Sequence, residues 1–213
     1  MKVAVIDYGV GNLGSVMRAL EELRATPVLV SKVEQLNNFG RLILPGVGNF
    51  SDCAALLKNG AWDLALIEHV KEQGKSLLGI CVGMQLLADE SSEGAVGEVG
   101  ASVKGLGLIP GRVDYLKHLG CPNRLPHVGW NSVTCCQEDG LFQGIPDGTD
   151  FYFVHSYAFV PKGEDSVIAV TDYGYRVPVA IRRGNVWGTQ FHPEKSSRAG
   201  FKLLANFVQG AAC

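Results

Sequence analysis

Six cysteines and five histidines lie along this chain of 213 residues, and one of each stands where it could do covalent chemistry. Gly79-Ile80-Cys81-Val82-Gly83 closes an apolar run that starts at Ser76, with a glycine two places to either side of the thiol. Small residues at those places permit a cramped passage from strand to helix that pushes a reactive side chain out above a sheet. A helix opening at Val82 predicts support for a thiolate from its free N–H groups, and the Val82 N–H is placed to hold an oxyanion. The competing reading is a small buried cysteine packed at a helix start.

Gln190-Phe191-His192-Pro193-Glu194 follows the strand Val186 to Thr189, and Pro193 cannot donate to a ladder, so pairing is expected to end there. Residues two apart in an extended segment share a side, which lets Glu194 turn back on the His192 ring, fix its tautomer and support an imidazolium. Together Cys81, His192 and Glu194 would be the parts of nucleophilic acyl transfer: a base takes the thiol proton and later returns it to the leaving group. Taken singly, a histidine two before a glutamate is more often a solvated pair. His69, His118, His127 and His155 read as structural or solvated, His155 as half-buried in the aromatic strand Phe151 to Tyr157.

Two glycine loops could add to the chemistry. Leu44-Pro45-Gly46-Val47-Gly48 leaves a buried strand and could supply a second oxyanion N–H, although an ordinary turn into a helix capped by Ser51 has the same pattern. Gly9-Val10-Gly11-Asn12-Leu13-Gly14 matches the dinucleotide fingerprint, but Ser31-Lys32 stands where the ribose-binding acid should be and Glu34 follows only later; a tight turn is the alternative. Cys121, His127, Cys135 and Cys136 lack C-x-x-C spacing, and adjacent cysteines in a strand face opposite ways, so no metal is expected.

The elements that must position these groups are legible as patterns. Val3 to Ile6, Pro27 to Val30, Arg41 to Leu44 and Ser76 to Ile80 are short apolar runs, and helical periodicity marks Val16, Ala19, Leu20 and Leu23 and the stretch from Trp62 to Gln73. This alternation predicts an α/β fold with a mostly parallel central sheet flanked by helices. Beyond Gly94, strands are expected near 105–115, 128–135, 150–160, 166–171, 177–182 and 185–191, with more antiparallel pairing. A closing helix from Ser197 to Val208 carries Phe201, Leu204 and Phe207 on one side, and Asp89 to Gly100 reads as a surface loop. One domain over residues 1–213 is expected, since no linker or repeat interrupts the chain.

A hydrophobic content of 46% with 19% charged residues excludes disorder. Nineteen Lys and Arg against twenty-one Asp and Glu give a net charge of −2, which argues against nucleic acid or an anionic membrane as partner. The apolar run before Asp7 is too short for a signal peptide or a span, so a cytoplasmic location with six free thiols, Cys53 and Cys213 included, is expected.

These segments, with Asp7-Tyr8-Gly9-Val10-Gly11-Asn12-Leu13, Pro126-His127-Val128-Gly129-Trp130-Asn131, Tyr152-Phe153-Val154-His155-Ser156-Tyr157 and the Gln190 to Ser196 stretch, resemble the class I, triad-type glutamine amidotransferases. Within that family the chain is similar to the branch that feeds ammonia to a cyclase in histidine biosynthesis. The resemblance implies that Cys81 attacks the glutamine carboxamide while His192, oriented by Glu194, protonates ammonia and then activates water. It implies oxyanion N–H groups from Val47, Gly48 and Val82, and substrate contacts at Gly46, Gln85, Ser156 and Tyr157. No cofactor is implied. The implied partner is a cyclase subunit of (β/α)8 barrel fold, met at or near Asn12, Trp130, Tyr152 and Lys195, with the oxyanion strand turned productively only when that partner is primed. Val82 departs from the family, where leucine is commoner. Three alternatives stand: the same glutaminase serving another synthase, a nucleotide-binding oxidoreductase built on Gly9-Val10-Gly11, and a noncatalytic interaction subunit.

Overall fold

In the computed structural model, which describes residues 1–96 and 100–210, the first half of the chain alternates strands and helices. The order is β1 (Lys2–Ile6), α1 (Leu13–Glu22), β2 (Thr26–Val30), β3 (Arg41–Gly46), α2 (Phe50–Asn59), α3 (Trp62–Lys71), β4 (Ser76–Cys81) and α4 (Val82–Gln85). The second half is strand-rich: β5 (Glu90–Ser91), β6 (Val103–Lys104), β7 (Gly111–Tyr115), β8 (His127–Cys135), β9 (Thr149–His155), β10 (Tyr157–Pro161), β11 (Val167–Asp172), β12 (Arg176–Arg183) and β13 (Val186–Thr189), closed by α5 (Ser197–Gln209).

Nine strands form one sheet in the order β2-β1-β3-β4-β13-β12-β11-β8-β9, and a four-stranded sheet runs β10-β7-β5-β6. From β2 to β13 the pairs are parallel, and from β13 to β9 antiparallel. Parallel strands need both faces covered, which is why Val3 to Ile6 and Leu42 to Leu44 are fully buried without alternation. Although its neighbours in sequence pair antiparallel, β13 lies parallel to β4, and this puts the segment leading to His192 in the middle of the sheet.

Several expected boundaries shift. The strand expected over 150–160 is two strands in different sheets, broken at Ser156. The cause is a slip in burial parity: Phe151, Phe153 and His155 face inward, whereas the next buried pair is Ala158 and Phe159. In place of one strand near 105–115 there are the two-residue β6 and β7 from Gly111. The Asp89 to Gly100 segment carries β5, with 97–99 outside the described residues, as is Cys213. Asn49, rather than Ser51, caps α2, its side chain accepting from the Ser51 N–H at 2.8 Å. No helix among the described residues is long and apolar enough to cross a membrane.

Candidate active site

Parallel pairing sets the site before any side chain is considered. At the carboxyl edge Gly46 of β3 lies opposite Cys81 of β4, and Ile80 pairs with Thr189 of β13, so the Pro45 to Gly48 strand, the thiol and the His192 segment emerge side by side. Crevices at the carboxyl ends of parallel strands are where α/β folds bind ligands.

Cys81 has φ 57° and ψ −112°, a conformation costly for a residue with a side chain and tolerated where the surroundings fix it. The glycines around it are close-packed: a Cβ on Gly83 would overlap the Leu44 carbonyl, and one on Gly46 would lie 2.6 Å from the Gly83 nitrogen. Here β3 and the start of α4 approach each other through glycine backbone, which leaves room for the elbow. The helix after it is only the four residues Val82–Gln85, so the expected helix-dipole support for a thiolate has little length to act through.

The charge that faces the sulfur comes from His192. Its Nδ1 is 2.8 Å from Glu194 Oε1, and both side chains are buried. Glu194 reaches the ring because Pro193–Lys195 is a short 3₁₀ turn, not through the extended backbone expected. Burial alone would lower the imidazole, but its hydrogen bonds to Cys81 and Glu194 outweigh that effect and raise it to about 10. The ring is therefore an imidazolium at neutral pH, held between sulfur and carboxylate. Asn12 donates from Nδ2 to the same Glu194 oxygen at 3.0 Å, and the bends at Gly9 and Gly11, φ 105° and 139°, lead the chain to it. Expected near a partner surface, Asn12 thus also holds the carboxylate bonded to His192.

A cavity of about 360 Å³ opens over Cys81, walled by Val47, Gly48, Val82, Gln85, Ser156, Tyr157 and His192. Gly46 is not among its lining residues; it lies behind the wall, against Gly83 and the Tyr8 hydroxyl. Gln85 Nε2 donates to the Tyr157 carbonyl at 3.2 Å and to Gln190 Oε1 at 2.9 Å, and Gln190 Nε2 lies 3.8 Å from Cys81 Sγ. Three lining or bracing residues have no site role expected from sequence: Gln190, Glu93 and His155, the last read as a half-buried structural histidine and found buried at the cavity. Glu93 Oε2 accepts the Phe50 N–H at 2.9 Å, and burial raises its carboxyl. Gln190 had a signal, a polar residue in a buried strand end; Glu93 had none, since it sits in what reads as a surface loop.

Beside the cavity lies an exposed apolar patch: Val128, Trp130 and Val154 are 55%, 54% and 38% exposed. Trp130 meets Tyr152 edge to face at 6.1 Å, and the exposed Lys195 ammonium lies 5.9 Å from the Tyr152 ring centre. A larger hollow, about 730 Å³, opens around Cys135, Asp147 and Arg182, but no histidine lines it among the described residues. Among those residues no cluster of three metal-binding side chains occurs, and Cys53, Cys121, Cys135 and Cys136 are free thiols.

The chain resembles known proteins in sequence and in fold. The sequence profile described as glutamine amidotransferase class-I matches residues 4–211. The HisH subunit of imidazole glycerol phosphate synthase from Moorella thermoacetica is 47% identical, covering 96% of this chain and 93% of the relative. That from Geobacillus kaustophilus is 45% identical over 97% of this chain and 95% of the relative. Among solved structures, a glutamine amidotransferase superposes with a TM-score of 0.74 at 24% identity, covering 97% of both chains, a likeness of fold. With a matching profile over nearly its whole length and HisH subunits as near relatives, the chain belongs to the class-I glutamine amidotransferase family.

Proposed function

We propose that the whole chain acts as one glutaminase domain, the ammonia-producing subunit of an imidazole glycerol phosphate synthase in histidine biosynthesis. Cys81 Sγ attacks the carboxamide carbon of glutamine, and the N–H groups of Val82 and of Val47 or Gly48 hold the oxyanion. His192 gives its proton to the departing nitrogen, which leaves as ammonia, and a glutamyl thioester remains. The neutral imidazole then takes a proton from water as it attacks, and collapse releases glutamate and restores the pair. Gln85, Ser156 and Tyr157 hold the substrate, and the Glu93 carboxylate at the cavity rim suits its α-ammonium group. What most supports this reading is the buried His192–Glu194 bond beside an elbow cysteine at one sheet edge.

Ammonia is mostly protonated in neutral water, and ammonium is no nucleophile, so delivery needs a dry passage. We assign the partner as a (β/α)8-barrel cyclase docking on Trp130, Tyr152 and Lys195 with Asn12 close by, in the cytoplasm, where it would make imidazole glycerol phosphate and an aminoimidazole carboxamide ribonucleotide. An apolar patch with a cation on an aromatic ring fits a protein interface better than solvent. Ammonia release from glutamine, measured with and without a cyclase subunit and its nucleotide, tests this. Strong stimulation is expected. Equal rates would remove the gating, and no release in either condition would remove the glutaminase.

A further inference from the structure

His127 and His155 are buried, lie outside the triad, and belong to two motifs whose histidines have no role above. His155 Nδ1 is 2.9 Å from the Tyr157 carbonyl, His155 Nε2 is 3.1 Å from His127 Nδ1, and His127 Nε2 is 3.4 Å from Asn131 Nδ2. A carbonyl can only accept, so the His155 proton is on Nδ1; its Nε2 then accepts from His127 Nδ1–H, whose own Nε2 accepts from the Asn131 amide. Only this assignment satisfies a pair of neutral rings, and burial keeps both neutral, His127 lowered to about 4 and His155 to about 3. The His127 ring is fixed by stacking on Tyr173 at 3.9 Å and Phe153 at 4.7 Å, and Asn131 by a second bond to the Asp172 carbonyl at 2.9 Å.

We propose that Asn131, His127 and His155 form a one-way hydrogen-bonded relay that positions the Tyr157 carbonyl, and through it the Gln85 amide, so that strand β8 sets the substrate wall of the cavity. The Tyr157 carbonyl receives both His155 and Gln85, and Gln85 continues to Gln190 and the nucleophile. The relay begins at Asn131, next in sequence to the exposed Trp130. These are positioning residues, and the inference rests on the glutaminase reading.

The test uses the full chain with a cyclase partner, reading glutamine KM and kcat together with alkylation of Cys81 by iodoacetamide, a probe too small to need the substrate wall. His127→Phe keeps the stacking and removes both bonds. The expected result is a KM about tenfold higher, the scale of one lost polar contact, with the alkylation rate unchanged. His127→Asn puts an amide where Nδ1 was and should restore KM; His127→Gln reaches only the Nε2 side and should not. If the phenylalanine variant fails to fold, the asparagine and glutamine variants decide. Equal KM in those two, or unchanged KM in a folded His127→Phe, overturns the relay, as does loss of alkylation along with turnover. Wild-type protein that hydrolyses no glutamine would instead overturn the glutaminase reading itself.

Discussion

The carboxyl edge of β3, β4 and β13 and the β8–β9 pair face the same cavity but contribute to it by different means. At the edge, parallel register and glycine contacts carry Cys81 and the His192 segment to neighbouring places, and the chemistry follows from backbone position. The β8–β9 pair brings aromatic rings and two neutral histidines, whose value lies in where their hydrogen bonds point. Sites on paired strands are stiff, and a polar network adds direction only when every member is satisfied. The two regions should therefore fail differently, the first by losing rate and the second by losing substrate fit.

The largest effect should come from the edge. Cys81→Ala should lower glutamine-dependent turnover by on the order of 10⁴-fold or more while leaving synthesis from added ammonia in the partner intact. Persistence of the glutamine rate would place the nucleophile elsewhere. Next, Glu194→Gln should cost up to about 10⁴-fold, because the tautomer and the charge behind His192 are lost together. The same variant sharpens the pH argument. The imidazolium must be present to protonate ammonia, and its value near 10 keeps it so across neutral pH, so wild-type kcat/KM should fall only as pH rises through about 10. Without the carboxylate that alkaline limb should move to lower pH; a limb that stays in place would contradict the ion pair.

Gly83→Ala separates packing from chemistry. Its Cβ would enter the Leu44 carbonyl, so a loss of about 3 kcal/mol is expected from urea midpoints, whereas Gly48→Ala meets nothing within 4 Å and bears only the cost of φ 94°. The histidine pair acts on stability as well, and its effect grows with acid. Both rings stay neutral when folded and titrate near 6.5 when unfolded, so at these two sites the unfolded chain binds about one more proton than the native one at pH 6.5 and close to two more near pH 5. The pair's contribution to the loss of stability with acid should steepen from about 1.4 kcal/mol per pH unit at pH 6.5 toward about 2.7 near pH 5, the limit for two protons. His127→Phe should halve that slope, and an unchanged slope would mean that the rings are not buried neutral in solution.

Much of this was open to a reader of the chain alone. The apolar strands, the glycines around Cys81 and the proline after His192 are local signals, and each states a backbone requirement that sequence spacing can carry. The slip in parity at Ser156 was also local, though it shows only when Phe151 to Phe159 are checked position by position. Glu93 was not legible, because its use depends on the Phe50 N–H some forty residues away and on the cavity beyond it. Nor was the double duty of Asn12, whose bond to Glu194 spans 182 positions.

By itself, then, the order of residues determined which groups could react and what local backbone each would need: a crowded elbow at Cys81, a strand end at His192, and apolar strands to bear them. Tertiary structure alone decided that β13 enters parallel to β4, bringing His192 to the Cys81 thiol. It also decided that the carboxylate arrives through a 3₁₀ turn and that two histidines from separate strands share one proton direction. The reason is range: dihedral preference and periodicity act within a few residues, whereas register, burial and the raised proton affinity of His192 arise only when distant segments exclude water together.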